Sequence, residues 1–399
     1  MRPDAAARPA EPARDRRWRA AFVALHLLAA VGVAVQHAAG KPANNFRIFR
    51  GAGRHLLEGR DLYAFYPAEH ADLFKYSPSV ALGFVPFALV PEWLGLLGWH
   101  LLNAGVLVWA VCRVVPARAA WIALAGCLLE ALGAMQNAQA NGLCAGLMLL
   151  ALDAAARDRP WAGALAVATG THVKLFPAAA GVYGAVHPRR VWHVALMGVG
   201  VLLLALLPLV VVSPAELLAQ YRSWRALLAA DSTTQAMWWV GGIVERYTGR
   251  PLPHAPIQLA GTALVLATAW RWRHALTVGT ALGDRMRLAG LVLGYVILFN
   301  HRSEPPTFVI AYAGLALWWA TQPRAPWRDA LCLAVLVLGS LGGTDLVPRA
   351  MRVAWHQETR LKAIVVLGAW VGLVVEAWRR SPRADDADAA LRAAAASSA

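Results

Sequence analysis

Charge is scarce in this chain: Asp, Glu, Lys and Arg together make up 15% of its 399 residues, against 58% hydrophobic. No single water-soluble core absorbs that much apolar surface, so the composition excludes an ordinary globular protein and indicates a polytopic membrane protein. Acid is scarcer than base, 23 residues against 38, for a net charge of +15. In a soluble protein that excess would point to nucleic acid. Here the cations sit in short segments between apolar runs, with Trp nearby, as membrane flanks do, and no nucleic-acid partner is expected. Cysteine is limited to Cys112, Cys127, Cys144 and Cys332. All lie inside apolar runs without metal-like spacing, so neither a disulfide nor a metal is expected. Also missing are a phosphate-binding glycine loop, a zincin helix and a nucleophile elbow, and Gly51-Ala52-Gly53 is too short for a dinucleotide site.

What is present reads as an all-α bundle. Arg14, Arg16, Arg17 and Arg19 precede the apolar run 20–35, which lacks a good small-x-small cleavage site before Gly40. Residues 1–19 are therefore read as a cytoplasmic basic leader, and the run as an uncleaved first span. Apolar segments follow near 78–91, 94–112, 119–134, 142–156, 161–186, 191–212, 257–270, 287–299, 306–320, 328–343 and 361–378, about twelve in all. Several are short for a bilayer and are expected to be tilted, broken or re-entrant. An even count places both termini in the cytoplasm, with 40–76, 213–256 and 300–305 outside, in a multi-pass protein of the cell membrane. The unit is read as 20–380, followed by a low-complexity, disordered cytoplasmic tail at 381–399. One region resists. Strict alternation puts Gln136-Asn137-Ala138-Gln139-Ala140-Asn141 inside and Arg157 to Arg159 outside, against the charge rule. A re-entrant segment would reverse both.

The island 44–78 is long, aromatic and basic. Asn44 or Asn45 can N-cap a helix on which Phe49, Ala52 and Leu56 share one face. Arg47, Arg50 and Arg54 share another and can converge on one anion. Gly59 stands where a left-handed residue would end that helix. The island is read as a helix lying on the membrane surface, the ordinary alternative being a solvated amphipathic connector. In the second polar excursion, Ser213-Pro214-Ala215-Glu216 forms a capping box that starts another surface-lying helix.

Ionisable groups within apolar runs are costly and therefore functional suspects. A lone Lys174 could simply snorkel, but with His172 and a helix-weakening Pro177 beside it the segment reads more as a broken helix presenting a cation to a buried anion. Glu130, a lone acid among leucines, reads as a packing partner. Asn300-His301-Arg302-Ser303-Glu304 packs an amide, an imidazole, a guanidinium and a carboxylate against two prolines. Its acid can act as a general base or be a salt-bridged loop residue.

The order FRIFRGAGRHLLEGRDLY, FKYSPSVALGFVPFALVP, LGWHLLNAGVLVW, QNAQANGLCAGLMLLAL and THVKLFPAAAGVYG resembles glycosyltransferase family 87 over about residues 44 to 345. That family comprises polytopic enzymes of GT-C architecture related to polyprenol-phosphate-mannose-dependent mannosyltransferases. The resemblance implies inverting transfer of a mannose-like hexose from a polyprenyl-phosphate donor to a lipid-linked or envelope glycan acceptor on the external face, with no cofactor and membrane lipid as surroundings. On that reading Arg47, Arg50, Arg54, Lys75 and Lys174 serve the donor phosphate. Asn44, Asn45, Tyr63, Tyr66, Tyr76, His172, Trp224, Asn300, His301 and Arg302 serve sugar or acceptor. The chain departs from the family where an Asp commonly precedes the island's first aromatic. Here it is Asn45, and an amide is no base. Among Asp61, Glu69, Asp72, Asp231 and Glu304, the expectation is Glu304 first and Asp61 second as the catalytic base. Two other classes stay open: a lipid or sugar flippase using Lys174 and Glu130, and a catalytically inactive membrane scaffold.

Overall fold

The computed structural model describes residues 11–230, 238–277 and 280–380. Asp231 and the 381–399 tail lie outside the described residues, which contain helices and no strand. In chain order the helices are α1 (Ala13–Ala38), α2 (Asn44–Leu57), α3 (Pro78–Ala88), α4 (Glu92–Val114), α5 (Ala117–Gln136), α6 (Asn141–Ala156), α7 (Pro160–Val173) and α8 (Gly181–Ala185). They continue with α9 (Arg190–Leu206), α10 (Pro214–Ala230), α11 (Val240–Thr248), α12 (His254–Arg271) and α13 (Leu282–Leu298). The last are α14 (Val309–Thr321), α15 (Pro326–Ala334), α16 (Arg349–Arg352) and α17 (Leu361–Arg379). Five stretches are long and apolar enough to cross a bilayer: α1, α4, α5, Arg190–Val210 and α17.

Two apolar runs behave differently from the simple alternation. The run 78–91 contributes only α3, 11 residues closed before Pro91. At 1.5 Å per residue it is about 16 Å long, roughly half a hydrocarbon core. The run 161–186 divides at Lys174, whose extended backbone (φ −151°, ψ 143°) ends α7 before a 3₁₀ turn at Phe176–Ala180. Pro177 supplies no N–H and crowds a preceding turn, which accounts for the break. It packs so closely on α7 that a Cβ on Gly170 would lie 2.9 Å from the proline Cβ.

Side-chain contacts locate the middle of the chain relative to these runs. Asn45 Nδ2 donates to Asn137 O at 2.8 Å, and Trp99 Nε1 donates to Ala138 O at 3.0 Å, so the amide-rich turn lies beside the island. At the other end of the bundle Arg113 and Arg157 share Asp153, each at 2.7 Å. The Ala117 N–H there donates to Glu11 in the leader. The basic leader, Arg113 and Arg157 thus share one end of the bundle. The leader arginines themselves belong to the first turns of α1 rather than preceding a helix.

Local signals shape the island end. Gly59 has φ +67°, and the Arg60 N–H returns to His55 O at 2.9 Å, a left-handed close that favours glycine. Ser213 and Glu216 exchange backbone-to-side-chain bonds of 2.8 and 3.3 Å, fixing the start of α10. The core runs through α13 and α14, where Leu291, Val292, Leu293, Val309, Ile310 and Trp318 are buried. Glu130 does act in packing: it accepts from Ser340 Oγ and Lys362 Nζ, both at 2.8 Å, tying α5 to α17. Such a pair, once buried, is costly to break by removing one partner.

Candidate active site

Four side chains from three separated segments meet at the island end. After α5, residue 138 takes φ +50°, and the N–H of Gln139 folds back to Ala134 O at 3.1 Å. This tight turn presents Gln139, and Asn141, fully buried, opens α6. Lys174 emerges from the break after α7 and donates to Asn141 Oδ1 at 2.8 Å and Gln139 Oε1 at 3.3 Å. Asn141 Nδ2 donates to Gln139 Oε1 at 2.7 Å and to Pro306 O at 2.8 Å. Gln139 Nε2 in turn donates to Glu304 Oε2 at 3.2 Å.

Glu304 is itself held by local geometry. It N-caps the 3₁₀ turn Pro305–Phe308 in a capping box, with its side chain accepting from the Thr307 N–H and the Thr307 hydroxyl accepting from the Glu304 N–H. The two prolines fix the turn behind it. Chemically the cluster sets one ammonium and one carboxylate on either side of a single amide. An anionic leaving group can be stabilised on one side and a proton removed on the other.

The remaining sequence-derived candidates are distributed as follows. Neither Asn44 nor Asn45 caps α2. Ala43 occupies that position, Asn44 Oδ1 accepts from the Ala71 N–H at 2.8 Å, and Asn45 reaches Asn137. The asparagines tie the island to itself and to the amide turn by satisfying backbone groups there. Arg47, Arg50 and Arg54 share a helix face but do not converge on one point. Arg47 pairs with Glu92 and Arg54 with Glu69, both at 2.9 Å. Arg50 donates to the carbonyls of Phe87, Ala88 and Val90 at 3.3, 3.4 and 2.9 Å, closing the C-terminal end of α3. Lys75 lies 3.6 Å from Asp72.

The aromatics form a packed wall under the island. Tyr63 is buried and donates to Tyr76 O at 2.8 Å, while Trp224 on α10 donates to Lys75 O at 3.1 Å. Burial pushes the Tyr63 phenol up, which keeps it a hydrogen-bond donor. Phe49 meets Tyr76 edge-on at 4.7 Å. Tyr66 donates to Asp61 O at 2.8 Å. His172 binds Ser77 Oγ and Val201 O, each at 3.0 Å, so it clamps α7 to the start of α3 and to α9. Asp61 accepts from the Tyr63 N–H at 3.0 Å and from Ser223 Oγ at 3.2 Å, so it caps the turn that follows it. Asn300 accepts from the Arg302 N–H at 3.0 Å, and His301 stacks on His254 at 4.6 Å. Of the expected phosphate and base residues, the structure joins Lys174 and Glu304. It joins them through Gln139 and Asn141, which the sequence offers only within the Gln136–Asn141 amide stretch. The available signal was the density of amides in one short turn.

The fold and the cluster together define a helical membrane protein with a carboxylate–amide–ammonium site at one end. The sequence model of glycosyltransferase family 87 matches residues 74–301, more than half of the chain, and the chain belongs to that family: it is a membrane glycosyltransferase. The match takes in Gln139, Asn141 and Lys174 and stops just short of Glu304. A search of curated proteins gave no match.

Proposed function

We propose that the enzyme moves a mannose-like hexose from a polyprenyl-phosphate donor to a lipid-linked or envelope glycan acceptor at the island end, with inversion. The observation that carries this reading is the Lys174–Gln139–Glu304 chain of hydrogen bonds. Lys174 stabilises the phosphate as the bond from the anomeric carbon to its oxygen breaks. Glu304 takes the proton of the acceptor hydroxyl as that oxygen bonds to the anomeric carbon, and the polyprenyl phosphate leaves as an anion. Gln139 and Asn141 orient both groups. The island lies at the external face with both termini cytoplasmic, an arrangement supported by the shared end of the leader, Arg113 and Arg157.

On this reading the donor phosphate rests chiefly on Lys174, while the arginines of α2 shape the island through their own partners. The experiment is transfer from a defined polyprenyl-phosphate hexose in nanodiscs, comparing the native chain with Lys174→Met and Glu304→Gln. Full transfer by both variants would remove the proposal.

A further inference from the structure

At the end of the bundle opposite Lys174, three potential metal ligands converge that the proposed chemistry does not use. Asp158, His187 and His193 each offer one donor atom, and these atoms lie within 4.8 Å of one another. The two imidazoles are 5% and 3% exposed, with ring centroids 4.2 Å apart. His193 Nε2 is 3.4 Å from Asp158 Oδ1. Three separate pieces of chain supply them: the α6–α7 turn, the segment after α8 and the first turns of α9. Asp158 holds a left-handed backbone (φ +49°), a conformation costly for a residue with a Cβ although tolerated best by Asp and Asn.

A single residue, Arg189, now contacts two of the three. Its guanidinium contacts Asp158 Oδ2 at 2.5 Å, and its backbone N–H donates to His187 Nδ1 at 3.0 Å. A histidine that ligates through Nε2 carries its proton on Nδ1, so that N–H must turn away when a metal binds. The Arg189 side chain is 58% exposed and has room to leave.

We propose that Asp158, His187 and His193 form a binding site for a divalent transition cation of the zinc type, in competition with Arg189. Two imidazole nitrogens and one carboxylate oxygen suit such an ion, leaving a further position for water. Tetrahedral coordination at about 2.0–2.2 Å spaces donors by about 3.3–3.6 Å, so the cluster, now within 4.8 Å, closes by about an ångström on binding. The ion would fasten the α6–α7 turn to α9, away from the sugar chemistry. The proposal is independent of the functional reading above.

The test uses the full chain in detergent, stripped with a chelator and titrated with Co2+ by visible absorption and with Zn2+ by calorimetry. One equivalent is expected to bind, and His187→Gln with His193→Gln should weaken it at least ~10-fold. Arg189→Gln removes the competing guanidinium from Asp158, leaves the backbone N–H in place and touches no ligand, and it should tighten binding. Absence of binding, or binding unchanged by the paired histidine variant, would overturn the proposal. If the histidine variant fails to fold, Arg189→Gln decides: unchanged or weaker affinity in that variant also overturns it.

Discussion

Gln139 Nε2 and Glu304 Oε2 lie 3.2 Å apart although 165 positions separate them in the chain. Through the other atom of the same amide Gln139 accepts from Lys174, so one side chain spans the cation and the carboxylate. An amide is suited to this because it donates from nitrogen and accepts at oxygen. Replacing it with either charge would repel one neighbour.

Glu304→Gln retains the shape and most of the capping role while removing the base. Hexose transfer should fall by at least ~100-fold, with the thermal transition little changed. Near-normal transfer, with Asp61→Asn inactive, would move the base to Asp61.

Lys174→Met removes the cation from a site where it makes two hydrogen bonds to amide oxygens. Loss of a charge-assisted contact of about 1.5–3 kcal/mol corresponds to roughly 10- to 100-fold in transfer. Steady-state kinetics should show the loss in kcat/KM for donor. An unaltered value would return Lys174 to the status of a snorkelling lysine.

Arg50→Gln separates a structural arginine from a substrate-binding one. It deprives the end of α3 of carbonyl partners and should cost about 1–2 kcal/mol of stability. Transfer per folded molecule should stay within a few-fold of native. A collapse of activity with normal stability would restore Arg50 to the donor phosphate.

Acid should loosen the island. Burial lowers the His55 pKa despite the contact with Glu69 at 3.1 Å. Glu69 is partly desolvated, yet the His55 hydrogen bond and the Arg54 and Arg60 charges hold its carboxyl below the usual range. Both groups are therefore protonated more readily in the unfolded island than in the folded one. Stability falls first as pH drops below about 6.5, where unfolded His55 protonates, and again towards the folded Glu69 value in the acid range. Protection factors for hydrogen exchange over residues 58–73, taken against the intrinsic rate at each pH, should fall between pH 7 and 5, and His55→Gln should flatten that first step. Protection factors that rise on acidification would contradict the argument.

Ala68→Cys, in a background lacking the native cysteines, tests orientation. An impermeant maleimide should label it in intact cells, whereas a cysteine at Arg159 should react only after lysis. The reverse pattern would invert the topology.

Composition and short-range patterning determined a good part of this protein. The excess of apolar residues dictates a helical membrane chain, because only internally bonded backbone is stable in hydrocarbon. Gly59 and the Ser213–Glu216 box act within a few residues of themselves, so their turn and helix start were legible directly. The family could be read from the order of motifs, and Lys174 and Glu304 from the cost of charge beside apolar runs. Tertiary structure decided what depends on distant partners. The helical spacing of Arg47, Arg50 and Arg54 fixes a shared face, but Glu92, the α3 carbonyls and Glu69 decide where each guanidinium goes. Asn44 had the chemistry of a cap and was drawn instead to the Ala71 N–H. Whether the 78–91 run crosses depends on where α2 and α4 hold α3, and the bonds from Asn45 and Trp99 set the amide turn beside the island. Local sequence supplies the donors and acceptors, whereas packing brings Gln139, Lys174 and Glu304 within hydrogen-bond reach.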